Sequence, residues 1–396
     1  MTRPAERGIG AGRPVVAIYR TQILPLSETF VRDQALALRR WQPILVGERE
    51  IDGLPLEGLA VAARHSGPPR LLQRLAGVLW RSLDRTSPGL IKLVQQRQVK
   101  LIHAHFGFDG VEAWPIARRL GLPLLVTLHG SDITTRMQWF SEGRAGRRWK
   151  SYPHRLARLA VQKNVSFVAV SKNIREAAIV AGLPESRIFV HPIGIDTQHF
   201  TRSGLPVAQR RPIILFLGRL VEKKGAGYLL EAFEVLRRKL PEAELIIAGD
   251  GPKRQELAAR AQAIGGVRFV GAFSREQAQA LLAEARVLCL PSITAESGDA
   301  EGLPLVILEA QASGVPVVTS ARGGAAEGIL DGETGYAFAE RDVATMIDRL
   351  SRLLTDAVLA EKFSAASPGF VAATHNLHSR TAELENLYDQ VSGCKS

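Results

Sequence analysis

The sequence predicts an α/β protein made of two doubly wound parallel-sheet domains in tandem. Three observations predict it. Short β-branched apolar runs alternate with amphipathic helical segments along most of the chain. The alternation restarts after a polar, basic stretch near the middle. A length of 396 residues also exceeds what one ordinary core holds. Strands separated by helices pair in parallel through right-handed crossovers.

The first series opens with "RPVVAIYR" (13–20), read as a buried strand. "SETFVRDQALALRR" (27–40) follows as a helix, with Ser27 as its cap and apolar positions 31, 35, 36 and 38 on one face. "PILVGE" (43–48), "KLIHAHFG" (100–107), "PLLVTLHG" (123–130) and "VSFVAVS" (165–171) are further strands. "WPIARRLG" and "SKNIREAAIVAG" are helical segments between them. The second series starts at "RRPIILFLGRL" (210–220) and runs through "AELIIAGDGP", "VRFVGAFS", "RVLCLPS", "VPVVTS" and "GYAFAE". Both halves are Rossmann-like. "TQHFTRSGLPVAQRRP" (197–212) reads as the linker, and the tail (about 343–390) is helical in pattern. The expected domains are 13–200, 211–375 and a C-terminal helix, 376–396, packing back on the first domain. Open α/β sheets bind ligands beyond the carboxyl ends of their strands, so a site between the tandem halves, lined by strand-to-helix loops, is expected.

Composition narrows the function. Two cysteines, Cys289 and Cys394, make neither a disulfide framework nor a zinc motif, and suit a reducing compartment. The first dozen residues lack an apolar core and are read as a short lead rather than a signal peptide. No apolar run approaches the roughly 20 residues that span a bilayer. The expected location is cytoplasmic, including the inner face of the cytoplasmic membrane. A net charge of +12 attracts polyanions: nucleic acid, anionic lipid headgroups or phosphorylated small molecules.

Two loops carry the chemistry. In "LFLGRLVEKKG" (215–225) a buried strand ends before Arg219, Lys223 and Lys224, a guanidinium fork and point charges that make either a phosphate cradle or a solvated basic loop. In "AEGLPLVILEAQASGVPVV" (300–318) Glu301 and Glu309 flank an apolar run, where a carboxylate needs a partner. Pro304 suits a first helical turn. A helix beginning near Leu303 would place Glu301 just before it and Glu309 about one and a half turns inside. The N–H groups of Gly302, Leu303 and Leu305 would then face diphosphate oxygens, with the carboxylates on sugar hydroxyls. A salt-bridged structural role for Glu309 is the competing reading.

"AEGLPLVILEAQASGVPVVTSARGGAAEGILDGETGYAF" resembles the signature of retaining nucleotide-sugar glycosyltransferases of the GT-B fold, in the large fourth family. Its hallmark is a glutamate, seven residues and a second glutamate. "LGRLVEKKG", "AGDGP" and "HPIGIDTQHF" sit where that family has its counterparts, so the resemblance covers residues 13 to about 385. "LSETFVRDQALAL", "HAHFG", "LHGSDI" and "PSITAESGDAEGLP" are similar to bacterial exopolysaccharide enzymes of the colanic-acid and amylovoran type.

The resemblance implies an α/β, GT-B architecture, two Rossmann-like domains facing each other across a cleft. It implies a donor diphosphate on Arg219, Lys224 and the backbone from Gly302 through Leu303 and Pro304 to Leu305. Glu309 would hold the ribose and Glu301 the transferred sugar. His129, in "LHGSD", would face the sugar at the reaction centre. It also implies a nucleotide-sugar donor (UDP- or GDP-linked), a glycan or lipid-linked acceptor, retention of configuration, and no metal or other cofactor, in exopolysaccharide or lipopolysaccharide synthesis. Two departures stand out. The family's Gly-Gly first loop reads "QILPLSETF", so Ser27 and Glu28 are candidates for diphosphate or acceptor contacts. Its usual E-x-F-G reads "DAEGLP", without the phenylalanine.

Other candidates carry two readings each. His103 and His105 are a metal pair or a structural or acceptor-loop pair. Asp250 contacts nucleotide or caps the next helix. Glu327 in "GGAAEG" contacts donor or serves a turn. The segment 136–163 carries eight Lys/Arg against one acid, with Trp139, Phe140, Trp149 and Tyr152 interleaved. "RLLQRLAGVLWRSLDR" (70–85) is a second basic amphipathic stretch. An anionic membrane surface is favoured for both over nucleic acid, with solvated basic faces as the plain reading. A basic nucleic-acid-binding protein and another nucleotide-sugar enzyme, such as an epimerase, are the alternative functions.

Overall fold

The apolar runs become two all-parallel sheets in the computed structural model, which describes residues 12–25, 28–66, 85–202, 204–320 and 323–394. By its internal contacts the chain divides into unit 1 (Met1–Ile133, Met137–Gly194 and Leu377–Ser396) and unit 2 (Thr134–Arg136 and Ile195–Asn376).

Unit 1 runs β1 (Val15–Tyr19), β2 (Gln22–Ile23), α1 (Thr29–Ala37), β3 (Gln42–Glu50), β4 (Ala60–Ser66), α2 (Pro88–Gln96), β5 (Val99–His105) and α3 (Gly107–Leu120). It continues with β6 (Leu124–Leu128), α4 (Met137–Ser141, whose chain neighbours 134–136 belong to unit 2), α5 (Tyr152–Ala160), β7 (Val165–Ala169), α6 (Lys172–Val180) and β8 (Ile188–Val190). β1 lies between β3 and β5, and β6, β7 and β8 follow on the β5 side. The strand order therefore reverses between β1 and β5, where ligands of such sheets collect. Ser87 and Ser171 cap α2 and α6 by accepting from Leu90 N and Ile174 N. α1 departs from expectation. It ends at Ala37, Leu36 is 44% exposed, and Ser27 lies outside the described residues.

Unit 2 runs β9 (Ile213–Leu217), α7 (Ala226–Lys239), β10 (Glu244–Ala248), α8 (Arg254–Ile264), β11 (Val267–Gly271), α9 (Arg275–Glu284), β12 (Val287–Leu290), α10 (Leu305–Ala312), β13 (Val317–Ser320), β14 (Gly335–Phe338), α11 (Val343–Thr355) and α12 (Ala357–Thr374). Its order, β11-β10-β9-β12-β13-β14, reverses between β9 and β12. The stretch 197–212 is not a free linker. Phe200 and Val207 are buried in unit 2, and Arg210 donates to the carbonyls of Leu282 and Ala285 at 2.9 Å each. Carbonyls at the end of α9 need donors, and Arg210 supplies them.

The last helix, α13 (Leu377–Ser392), belongs to unit 1. Leu384, Leu387 and Tyr388 join the core of Val16, Ile18, Trp41, Leu101 and Leu125. One oxygen of Glu385 accepts the N–H groups of Arg39, Arg40 and Trp41 at 2.9, 2.6 and 2.9 Å. Those donors follow α1 and would otherwise lack partners. No helix among the described residues is long and apolar enough to cross a membrane.

Candidate functional site

In unit 2 the chemistry gathers where β9 and β12 end. Gly225 has φ +68°, and a Cβ there would sit 1.8 Å from the carbonyl oxygen of Pro291. Only glycine lets the loop after β9 lie against the loop after β12. Lys224 precedes it, and its Nζ lies 2.8 Å from Oε1 of Glu301, which also accepts from Ser292 Oγ at 3.1 Å. This answers why a carboxylate sits in an apolar run: Glu301 is 7% exposed and neutralised by an ammonium from the neighbouring loop. Burial pushes the Glu301 carboxyl up, but Lys224, Lys223 and the bonds from Lys224 and Ser292 outweigh it and leave its pKa below the ordinary value.

The loop joining β12 to α10 is pinned along its length. Ile293 N donates to Lys223 O at 2.7 Å, Thr294 N and Oγ1 to Glu340 at 2.9 and 3.0 Å, and Glu296 N to Glu222 at 3.1 Å. Lys223 pairs with Asp299 at 3.0 Å, and Ala300 N donates to Thr134 Oγ1 at 3.1 Å within the same unit. α10 begins at Leu305, later than the sequence suggests, with Pro304 as its cap at φ −75°, ψ 109°. Pro304 accordingly stands outside the helix rather than in its first turn, and no side chain caps that end. Gly302 and Leu303 lie in the buried approach. The first N–H groups of a helix have no intrahelical partner, so those of Leu305 and Val306 are open to an anion. Glu309 sits one turn in, half-buried.

Arg219 is exposed and makes no side-chain ion pair or hydrogen bond among the described residues. Asp250 serves its own loop, accepting from Gly251 N at 2.7 Å and pairing with Arg254 at 3.4 Å. Glu327 lies in the turn Gly323–Gly328, whose Gly324 N donates to Glu301 O at 3.2 Å.

In unit 1 the ends of β1, β5 and β6 carry a second cluster. Arg20, directly after β1, binds both oxygens of Glu28, the carboxylate of Asp109, and the His105 carbonyl at 2.7 Å. Thr21 donates to Asp109 from its N–H and hydroxyl. Glu28 is thus turned inward and paired with Arg20; Ser27 beside it lies outside the described residues. Burial raises the pKa of Glu28 and of Asp109, and Arg20 only partly offsets it. Phe106, at φ +71°, is a strained residue whose ring packs on His129 at 4.5 Å and under the Arg20 guanidinium at 4.7 Å.

His129 is half-buried between Phe30 and Phe106, and its Nε2 lies 3.1 Å from His105 Nδ1. Burial first, then Arg20 and His103, push its pKa well below the ordinary value, so it is neutral at pH 7. Asp132 holds its loop, accepting from the N–H groups of Gly107, His129 and Gly130 at 2.7, 3.2 and 2.9 Å. His103 is spoken for: Nδ1 meets Tyr388 Oη and Nε2 meets Thr127 Oγ1, each at 2.7 Å, and burial lowers its pKa to about 3. Among the described residues no group of three or more His, Cys, Asp or Glu is placed to hold a metal ion.

Sequence reasoning missed Arg20, Asp109, Phe106 and Asp132. An arginine closing a buried strand and an acid in the first turn of α3 were the available signals. The basic segment 136–163 also differs from expectation. Phe140 and Tyr152 are core residues packed with Phe108, and only Trp139 and Trp149 remain half-buried among exposed arginines. Residues 70–84 of the other basic stretch lie outside the described residues.

Two family models match in succession: Glycosyltransferase Family 4 over residues 27–199 and Glycosyl transferases group 1 over 198–369. The chain is 32% identical over 290 residues to the GDP-mannose-dependent alpha-(1-6)-phosphatidylinositol monomannoside mannosyltransferase of Mycolicibacterium smegmatis, covering 69% of this chain and 72% of that protein. It is 30% identical over 295 residues to the amylovoran biosynthesis glycosyltransferase AmsK of Erwinia amylovora, covering 73% and 69%. Anabaena HepE, crystallised with UDP, superposes with a TM-score of 0.74 at 20% identity, over 95% of this chain and all of the other, a likeness of fold. The chain belongs to the group 1 glycosyltransferases of family 4 and has their GT-B fold of two parallel-sheet, Rossmann-like domains.

Proposed function

We propose that this glycosyltransferase moves a sugar from a UDP- or GDP-linked donor to a glycan or lipid-linked acceptor in cell-surface polysaccharide synthesis, with retention and without a metal. The observation that carries it is the Lys224–Glu301 pair at the β9/β12 reversal, beside the start of α10, which no side chain caps, and Arg219, which makes no ion pair among the described residues. In this reading the donor diphosphate takes Lys224 and Arg219, with the N–H groups of Gly302, Leu303 and Leu305 beside them; Pro304, having no N–H, shapes the turn. Glu309 accepts from the ribose diol. Glu301, released to the sugar, accepts from its hydroxyls, and His129 meets the sugar as a neutral hydrogen-bonding group. Asp250 and Glu327 are left to their loops.

The bond between the anomeric carbon and the phosphate oxygen breaks as oxocarbenium character develops. The acceptor oxygen bonds that carbon from the face the phosphate leaves, and its proton passes to the departing phosphate. Fixed cations and helix N–H groups stabilise the charge gathering there, the part a divalent ion would otherwise play. A lipid-linked acceptor is supported by the phosphatidylinositol monomannoside in the mycobacterial relative's name and by the exposed Arg144, Arg147, Arg148 and Lys150 near Trp139 and Trp149, which suit an anionic membrane surface on the cytoplasmic side.

The test is a panel of UDP- and GDP-sugars with product stereochemistry read by NMR. An α-linked donor is expected to yield an α-linked product; an inverted product contradicts the reading. UDP or GDP at a hundredfold excess over Kd should stabilise the protein by about 2.7 kcal/mol. Glu309→Ala should lose that shift, and a wild-type shift in the variant removes Glu309 from the ribose.

A further inference from the structure

The histidines of unit 1 form a column, and the proposed chemistry touches only its end. His103 and His105 stand two residues apart on β5 and so share a face. Their ring centroids are 4.3 Å apart, and the His105 and His129 rings, with centroids 5.3 Å apart and 20° between planes, meet edge to edge through their nitrogens. Both nitrogens of His103 are paired. His105 is different: Nδ1 meets His129 Nε2 at 3.1 Å, while its buried Nε2 has no partner among the described residues.

That asymmetry decides where the protons sit. A neutral imidazole carries one N–H, and burial keeps both rings neutral. A proton on His105 Nε2 would be an orphaned buried donor, which native structures avoid more strictly than an orphaned acceptor. The proton therefore sits on His105 Nδ1 and is donated to His129 Nε2. His129 Nε2 is then an acceptor, and the proton of His129 can sit only on Nδ1.

We propose that His105 is a positioning residue that sets the tautomer of His129, making His129 an Nδ1–H donor to an oxygen of the transferred sugar. This rests on the reading that His129 meets that sugar. Phe30 and Phe106 hold the ring from its faces, and Asp132 holds its backbone, so orientation survives without His105 while the tautomer does not.

The experiment is a long-range 15N–1H spectrum of the full chain labelled at histidine, for the wild type, His105→Phe and His105→Asn, beside steady-state kinetics. The wild type is expected to show His129 protonated at Nδ1. His105→Phe keeps the volume, loses the donor and should move the proton to Nε2. His105→Asn places an amide N–H near the former Nδ1 and should restore the wild-type tautomer. The kcat should fall about tenfold in His105→Phe, the worth of one ordinary hydrogen bond, with donor KM changed by less than about threefold, and His105→Asn should recover most of the loss. A wild-type His129 protonated at Nε2, or a tautomer unmoved in a folded His105→Phe, overturns the proposal. An unchanged kcat in His105→Phe with the tautomer moved overturns the role at the sugar. The wild-type spectrum decides the tautomer even if His105→Phe does not fold or no donor is turned over, so this inference and the functional reading fail separately.

Discussion

Lys224→Ala should destabilise the protein by about 3–5 kcal/mol and abolish binding of nucleoside diphosphates. The pair it breaks is buried, with side chains 15% and 8% exposed, and removal leaves Glu301 with the Ser292 hydroxyl as its side-chain hydrogen-bond partner among the described residues and Lys223 as a more distant charge. Adding Glu301→Gln should return most of the stability, because no charge is then stranded, but not the binding, because the ammonium for the phosphate is still missing. Acid titration separates the two states further. In the wild type the Glu301 pKa is depressed, so its contribution is present above the unfolded carboxyl value and is lost as pH falls through the folded one. In Lys224→Ala burial is opposed by Lys223 and the Ser292 hydroxyl alone, so the loss of stability in acid should be smaller than in the wild type. Urea unfolding across pH 4–8 with UDP and GDP titrations reads all of this. An unchanged unfolding midpoint in Lys224→Ala shows that the pair does not form in solution.

Arg20→Leu is expected to cost as much by the opposite imbalance. One guanidinium serves two buried carboxylates, Glu28 and Asp109, and donates to the His105 carbonyl. Without it two acids face each other in a low-dielectric site, worth about 3–5 kcal/mol, and the β1–α1 loop loses its anchor. Glu28 and Asp109 already have raised pKa values, so in the wild type their contribution is fully present below the unfolded carboxyl value and falls as pH rises through the folded one. In Arg20→Leu that slope should steepen, with much of the loss regained between pH 8 and 5. Arg20→Leu/Glu28→Gln should be the more stable of the two variants. A flat pH profile in Arg20→Leu contradicts the account of this cluster.

These two clusters show what the sequence makes legible. β-branched runs announce both sheets, since a strand covered on both faces has to be apolar throughout. A glutamate in an apolar stretch announces a buried charge with a partner, and Glu301 has one. The partner is harder to read, because Lys224 and Lys223 are adjacent and only the three-dimensional turn decides which reaches Glu301 and which reaches Asp299. Glu28 looked available for a ligand because the arginine that claims it lies on another element, beyond β2. Leu36 fitted a helical stripe yet faces solvent, as a short helix buries a narrower face than its apolar count suggests. The stretch 197–212 is rich in turn and basic residues, but Arg210 is consumed in closing the end of a helix. In the 136–163 segment charge dominates the composition, while burial is decided by the aromatic cluster around Phe108.

The most direct measurement is a crystal structure of the protein with UDP or GDP bound. The account predicts the β-phosphate within hydrogen-bonding distance of Lys224 Nζ, the Arg219 guanidinium and the N–H groups at the start of α10, with the ribose hydroxyls on Glu309 and Glu301 drawn away from Lys224. A diphosphate bound elsewhere, with Lys224 and Glu301 still joined at 2.8 Å, would contradict it.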